Sequence, residues 1–306
     1  MPEIDPAPRP LTPDSYLGAW LVSEYVYDPD GTFAGIVHQR RQLHRLESGN
    51  IRVVQQCSPG PELVAHPMGA FAGEWVFELS VDGRIRRYHG PDVIGTGLTW
   101  GEGALTGRGL WPRFGHNFTS FAVLPTPERQ ITGGKFFNAS EMVANIIGLA
   151  VPDRDDVSAT REQWPSFAGP QWPGKMNEHW YGTLRTVNAD GVVQKEISVE
   201  RRYAGPVMEE SDGLKLEFRP IPSPIPTTRL VTGSPPGGGE ARLSGIAKYA
   251  GWLLELEAVT TPDMTLELME VLDVPGGNLI GLRKWREDDV LQKVEVLKLR
   301  PVTRDA

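Results

Sequence analysis

Between Gly95 and His116 the chain reads GTGLTWGEGALTGRGLWPRFGH, and seven of these twenty-two residues are glycine. Set among them are four side chains that could handle charge or protons: Glu102, Arg108, Arg113 and His116. An arginine in such a group can anchor an anionic or carbonyl oxygen, while an imidazole serves as acid, base or hydrogen-bond donor. Trp100, Trp111 and Phe114 would supply apolar walls. The same residues also fit simple packing, with the tryptophans in a core or at a rim and the arginines stacked over them.

So many glycines raise the question of phosphate binding. A P-loop needs a lysine followed by Ser or Thr at fixed spacing, and this stretch has no lysine. Its three G-x-G pairs, Gly95/Gly97, Gly101/Gly103 and Gly107/Gly109, each lack the third glycine of a dinucleotide fingerprint. No helix can follow, because Pro112 and Gly115 interrupt the next segment. In ITGGKFF, Arg129 stands where the first P-loop glycine belongs and Phe136 follows the lysine. Nucleotide binding is therefore set aside. The remaining use of these glycines is in β-strands that kink or that a neighbour approaches closely.

A second candidate is PGKMNEHWYG, Pro173 to Gly182. Glu178 and His179 are potential acid/base groups, and Tyr181 joins the ligand-binding candidates. Adjacent residues of a strand point to opposite faces, so Glu178 and His179 cannot act as one pair. The plain alternative is a strand entry with Trp180 turned inward. None of the six histidines has H-E-x-x-H spacing. His38 and His44 would lie roughly 20 Å apart along a strand, too far to share a metal. No metal or cofactor is expected, although a single axial histidine for haem stays open. No G-x-S-x-G elbow occurs, and Cys57 has no histidine near it in sequence. The double arginines Arg40-Arg41, Arg86-Arg87 and Arg201-Arg202 read as solvated strand faces.

The composition says what must position these groups. The 306 residues include 34 glycines and 27 prolines, spread along the chain rather than gathered into linkers. That is the pattern of many short strands joined by turns. A net charge of −8 argues against nucleic acid and anionic membrane surfaces as partners. One cysteine excludes an internal disulfide framework. The leader MPEIDPAPRPLTPD has no apolar core of a signal peptide and no run is long enough to span a membrane, so a cytoplasmic location is expected. The sequons at Asn117 and Asn138 then read as chance.

Strand-forming runs flank turns at Asp28-Pro-Asp-Gly31, Asp82-Gly83 and Asp190-Gly191. Only SEMVANIIGL reads as helical, with Ser140 as cap and Glu141 in its first turn. WLLELEAV and LELMEVL have helical composition but are read as strands from their period-two alternation. The proline-rich passage VPDRDDVSATREQWPSFAGPQWPGK is the expected boundary. Across it, Trp20 and Gly31 recur as Trp180 and Gly191, and Arg40-Arg41 as Arg201-Arg202, at an offset of about 160 residues. The expectation is an all-β chain with one or two short helices, in two halves spanning 14–152 and 165–303.

LGAWLVSEYVYDPDG, with Gly18-Ala-Trp20, resembles the opening of calycin-type, lipocalin-like barrels, where a Gly-x-Trp closes one end. The second half, Glu178-His-Trp180, lacks the glycine. A tandem of two such barrels resembles the carotenoid-hydratase and lipocalin-like Diels–Alderase group, and also two-barrel relatives of bilin lyases. The resemblance implies antiparallel barrels that bind lipophilic small molecules, and it assigns no catalytic residue. Three functions follow. One is a cofactor-independent enzyme that isomerises, cyclises or hydrates an enclosed hydrophobic substrate. Another is a carrier for a lipophilic ligand, pigment or haem. The last is a scaffold whose barrels are filled by side chains. Ligand identity and oligomeric state are left open by the sequence.

Overall fold

The described residues form twenty strands and no α-helix. The structure is a computed structural model that describes residues 13–100, 103–154, 179–222, 227–237, 240–250, 253–261, 264–273 and 277–302. The first ten strands are β1 (Gly18–Tyr27), β2 (Phe33–Arg45), β3 (Ile51–Pro59), β4 (Gly73–Asp82), β5 (Ile85–His89), β6 (Ile94–Thr99), β7 (Ala104–Trp111), β8 (His116–Thr126), β9 (Arg129–Asn138) and β10 (Glu141–Pro152). They form a closed barrel in which each strand pairs with its sequence neighbour and β1 meets β10. The second set is β11 (His179–Asn188), β12 (Val193–Ala204), β13 (Val207–Glu210), β14 (Lys215–Pro220), β15 (Thr228–Ser234), β16 (Leu243–Ala250), β17 (Leu253–Thr261), β18 (Met264–Asp273), β19 (Asn278–Glu287) and β20 (Val290–Pro301). These close in the same order, with β11 against β20. Closure leaves no strand edge unpaired.

Local chemistry explains the turns. In the β1–β2 hairpin Gly31 takes φ 86°, and its N–H donates to Asp28 O at 2.8 Å while Asp28 N–H donates to Thr32 O at 2.8 Å. The β11–β12 hairpin repeats this with Gly191 at φ 84°, Gly191 N to Asn188 O at 3.0 Å and Asn188 N to Val192 O at 3.0 Å. The recurrence read in the sequence is thus one hairpin built twice. Trp20 and Trp180, near the start of each first strand, are both buried.

One expected element is corrected. SEMVANIIGL is not a helix, since residues from Glu141 onward form β10. Its unbroken run of buried residues from Ala144 to Ala150 supplies no polar helical face. Val143, Ile146 and Ile147 are β-branched and favour the extended chain. The two segments of helical composition are the strands β17 and β18, where Leu254, Leu256, Ala258, Leu266, Leu268 and Leu272 join the second barrel's core.

Candidate functional site

Strand alternation decides which side chains enter each barrel. In the first barrel, cross-strand partners place Gln39 opposite Cys57, Arg41 opposite Gln55 and Leu43 opposite Val53. Val53 and Gln55 in turn face Phe77 and Trp75. This inner face therefore carries Gln39, Arg41, Gln55 and Cys57 in a row of otherwise apolar positions. Leu79 opposite Tyr88 and Val81 opposite Arg86 extend it along β5. Glu24 enters from β1, where Trp20 and Val22 share its face. Gln130 and Thr132 enter from β9, Thr132 opposite Ala122.

These polar groups meet. Arg41 Nη2 donates to Gln39 Oε1 at 3.1 Å and to Glu24 Oε1 at 3.4 Å, while Arg41 Nη1 donates to Gln130 Oε1 at 3.3 Å. Burial pushes the Glu24 carboxyl above its ordinary value, and Arg41 and Gln39 offset only part of that rise. Burial likewise raises the Tyr88 hydroxyl, against the opposing charges of Arg86 and Arg41. The Cys57 thiol is also pushed up by burial, which suits an inert thiol and not a nucleophile.

Several of these groups are incompletely bonded. Arg41 Nε, Gln55 Oε1, Arg86 Nε, Arg86 Nη2, Gln130 Nε2 and Thr132 Oγ1 are buried without a hydrogen-bond partner among the described residues. Arg86 is only 2% exposed, and its guanidinium lies 5.0 Å over the Tyr16 ring. A buried polar atom left dry costs about 1–3 kcal/mol, so six on one inner face leave that face with unused hydrogen-bonding capacity.

The glycine-rich stretch forms the wall beside them. Arg86 pairs with Gly97 and Tyr88 with Gly95, Gly97 with Gly107 and Gly95 with Gly109. Gly107 then faces Ser120 and Gly109 faces Phe118, and Ser120 faces Gly134. This row of strand positions leading from Arg86 carries no large side chain of its own, and the Tyr88 hydroxyl packs over Gly97 and Gly107. Its glycines allow close approach, since a Cβ on Gly97 would lie 2.8 Å from the Tyr88 hydroxyl and one on Gly107 3.0 Å from it. Further round, a Cβ on Gly148 would meet Thr132 Oγ1 at 2.6 Å and Glu24 Cγ at 2.9 Å. Small residues therefore line the wall from Arg86 to Glu24.

An aromatic cluster flanks this row. The Tyr88 ring lies 6.1 Å from Phe77 and 6.4 Å from Phe118. Phe118 is 6.3 Å from Phe136 and 6.0 Å from Trp111. Trp111 packs edge-on against Trp75 at 5.1 Å.

The residues singled out from the sequence scatter around this arrangement. Trp111 ends β7, whereas Trp100 precedes the strand and its backbone N–H donates to Ala104 O at 2.8 Å at the other end, roughly 20 Å away by strand rise, so the two do not share a site. Trp100 is buried and its Nε1 donates to Thr106 Oγ1 at 2.8 Å, with Arg84 5.2 Å over the ring. Arg108 is exposed on β7. Arg113 stacks 3.9 Å over Trp75 and donates to Glu74 O at 2.6 Å. His116, opposite Trp111, stacks on Phe114 at 4.1 Å, with Nδ1 2.7 Å from Phe114 O. His179 Nε2 lies 3.4 Å from Glu200 Oε2, and the half-exposed Tyr181 donates to Ser198 Oγ at 3.3 Å. Glu102 and Glu178 lie outside the described residues. Among the described residues no cluster of three or more His, Cys, Asp or Glu could hold a metal ion.

The double arginines need correction. They are not solvated faces throughout: Arg86 and Arg201 are buried, and the Arg41 side chain is only 12% exposed. Only the alternate partners Arg40, Arg87 and Arg202 are exposed. A period-two strand must send one of two adjacent residues to each face.

In the second barrel the inward charges pair with one another, although Arg283 Nε is buried without a hydrogen-bond partner among the described residues. Arg201 Nη1 donates to Glu270 Oε2 at 2.7 Å and to Tyr203 OH at 3.1 Å. Its Nη2 reaches Glu270 Oε1 at 2.5 Å and its Nε reaches Glu210 Oε1 at 2.7 Å. Arg283 Nη2 donates to both Glu210 oxygens. Glu295 accepts from Trp285 Nε1 at 2.9 Å and from Lys293 Nζ at 2.6 Å. Burial would raise Glu210, but Arg283 and Arg201 outweigh it and hold the carboxyl below its ordinary value. Around this network pack Trp180, Tyr203, Phe218, Tyr249, Trp285 and many leucines.

No family model matches the sequence, and no curated protein matches it. Among solved structures the chain is similar to a protein of unknown function from the DUF3598 family of Nostoc punctiforme. The TM-score is 0.54 at 12% identity, over 94% of this chain and 97% of that one. That likeness shows the fold alone. An S-type phycobiliprotein lyase from Guillardia theta matches over 46% of this chain and 90% of its own, at 9% identity. Its TM-score of 0.35 is too low to carry an argument. No helix among the described residues is long and apolar enough to cross a membrane.

Proposed function

We propose that the first barrel binds a lipophilic small molecule that carries an oxygen-bearing polar group, and that the second barrel is its filled structural counterpart. One observation carries this reading. Six buried, inward polar atoms without partners lie beside a wall of small residues and an aromatic cluster. Ligand sites in proteins have this composition, apolar and aromatic surface with a few convergent polar groups. Tyr88, Phe118 and Phe136 would contact the apolar body, and Arg41, Gln55, Arg86 and Gln130 the polar group.

Turnover is the second part of the proposal, and Glu24 is the observation that favours it. A carboxyl raised toward neutrality by burial, with Arg41 beside it, suits a general acid. The chemistry it supports is a cofactor-independent proton transfer, such as isomerisation, cyclisation or hydration. A carrier without turnover would use the same wall and leave Glu24 as a hydrogen-bonding group.

Native mass spectrometry with an absorbance spectrum, on protein purified without added ligand, is the first test. A co-purified lipophile that is absent from the Ser120→Phe variant, which puts a ring on the glycine row, is the expected result. Failure of the wild type to retain any lipophile or to take up an added apolar fluorophore would overturn the reading.

A further inference from the structure

The outer face of the second barrel carries an apolar row with charged ends. Arg219 on β14 stands opposite Leu230 on β15, Leu230 opposite Ile246 on β16, and Ile246 opposite Glu257 on β17. All four are exposed. Leu230 is 37% and Ile246 48% exposed, and Val259, diagonal to Ile246 across the β16–β17 pairing, is 49% exposed. The other exposed apolar residues described in this barrel lie at turns or strand ends, as Val192, Val193, Val290 and Val302 do, or stand alone, as Tyr181 does. Single exposed apolar side chains are ordinary, whereas neighbours on three successive strands form a contact patch. The barrel is closed, so a partner must lie on this face and cannot add a strand to an edge.

The charges select the partner. Glu217 holds the Arg219 guanidinium through Nε and Nη2, both at 2.8 Å. That leaves Nη1 without a partner among the described residues. Glu257 has no hydrogen bond or ion pair among them either. The row thus reads cation, apolar, apolar, anion in steps of roughly 5 Å. A two-fold axis parallel to the strands, between Leu230 and Ile246, lays this row on a second copy in reversed order. Arg219 then meets Glu257 of the second copy, and Leu230 meets its Ile246. The same reversal sets Thr232 against Ser244, which stand opposite each other in the neighbouring row. An axis along the row would instead set Arg219 against Arg219, so charge decides between the two. The first barrel offers no such match. Its exposed pair, Ile94 opposite Leu110, lies beside the row Arg87, Thr96, Arg108, Thr119 and Lys135, whose charges are all positive.

We infer that the β14–β17 face of the second barrel is the surface on which a second copy of this chain docks. The two copies form a two-fold dimer with Leu230 and Ile246 at its centre and an Arg219–Glu257 pair at each end. This surface is independent of the ligand site proposed for the first barrel.

The test is sedimentation velocity on the full chain from about 1 to about 100 μM, the range in which a modest interface associates. The wild type shows a monomer–dimer equilibrium. Arg219→Glu and Glu257→Arg each set like charges against each other at both ends, and each raises the dissociation constant by about tenfold to a hundredfold. An equimolar mixture of these two variants restores opposite charges at both ends and dimerises as the wild type does. Ile246→Glu abolishes the dimer. All three positions are exposed, so the variants keep the far-UV circular dichroism of the wild type. A wild type that stays monomeric throughout would overturn the inference. A dimer that Ile246→Glu leaves intact would put the interface elsewhere and overturn it equally. A mixture that stays monomeric would refute the two-fold arrangement. The wild-type measurement stands even where a variant fails to fold.

Discussion

Arg41 and Arg201 occupy equivalent places in the two barrels, each ten residues beyond the glycine of its hairpin turn, Gly31 or Gly191. Their surroundings differ in one respect. Every N–H-bearing nitrogen of Arg201 is bonded to a carboxylate or to Tyr203. Arg41 makes longer contacts, mostly to amides, and its Nε has none among the described residues. The two carboxylates respond in opposite directions: Glu210 is held down and Glu24 is pushed up. The lesson is that one barrel plan can be completed by its own side chains or left chemically incomplete. In the proposed function, the less complete one is where the ligand bonds.

The largest effect that would break this comparison comes from Arg201→Met. It strands Glu270 in a dry core, leaves Glu210 to Arg283 alone, and lowers unfolding stability by about 3–5 kcal/mol, measured by chemical denaturation. Arg86→Met makes the sharpest contrast, because it removes a cation with no carboxylate partner. Stability of the ligand-free protein should stay within about 1 kcal/mol of wild type or rise. A loss as large as that of Arg201→Met would make Arg86 a structural residue.

Next in size is the glycine wall. Gly109→Ala puts a Cβ 2.3 Å from Ile94 O and 2.9 Å from the Phe118 ring, and costs about 1–3 kcal/mol through overpacking. Gly97→Ala meets the Tyr88 hydroxyl at 2.8 Å. That atom is the far end of a side chain and can move, so thermal denaturation should show the smaller loss. Equal losses would mean that Tyr88 is held as firmly as backbone.

The pH dependence separates the two carboxylates. Glu24, raised in the native state, binds its proton more tightly folded than unfolded. Its contribution is therefore full below the ordinary value of 4.5 and is lost as pH climbs through the raised native value. Glu210 does the reverse, stabilising above 4.5 and losing that contribution as pH falls through its lowered value. Stability differences between wild type and Glu24→Gln, and between wild type and Glu210→Gln, should slope in opposite directions with pH. Parallel slopes would sink the contrast. The smallest effect is Tyr181→Phe, a half-exposed residue whose hydroxyl donates to Ser198 Oγ. It should change stability by no more than about 0.5 kcal/mol.

Much of the architecture was legible in residue order. Turn chemistry at Asp28-Pro-Asp-Gly31 and Asp190-Gly191, with the tryptophan eleven residues before each glycine, marks the repeated hairpin. SEMVANIIGL misled because a strand buried on both sides has no period-two alternation to distinguish it from a buried helix. The site was harder to see for a related reason. Gln55 sits in IRVVQQC on the face of Ile51, Val53 and Cys57, and that parity points it inward. Arg86 alternates with Arg87 in the same way. Polarity made Arg86 look solvated, whereas parity with apolar neighbours was the better guide for both residues. Which strand stands opposite which, and so the row from Gly97 to Gly134, depends on register that a single sequence does not reveal.

Each barrel begins and ends at one seam. Asp153 N–H donates to Ala19 O at 2.8 Å, and Val302 N–H donates to His179 O at 3.0 Å. The strands that the seam joins are the two most distant in sequence within their barrel, so closing it is the step with the greatest loop-closure cost. On a ribosome the first barrel has all its strands once Pro152 has emerged, and it can close while the second is still being made. Because the two ends of each barrel are neighbours, new termini could be opened at a hairpin such as Asp82-Gly83 and the old ones bridged by a short peptide. Circular permutation of the first barrel would thus leave its inner wall intact and move the point at which the chain enters it.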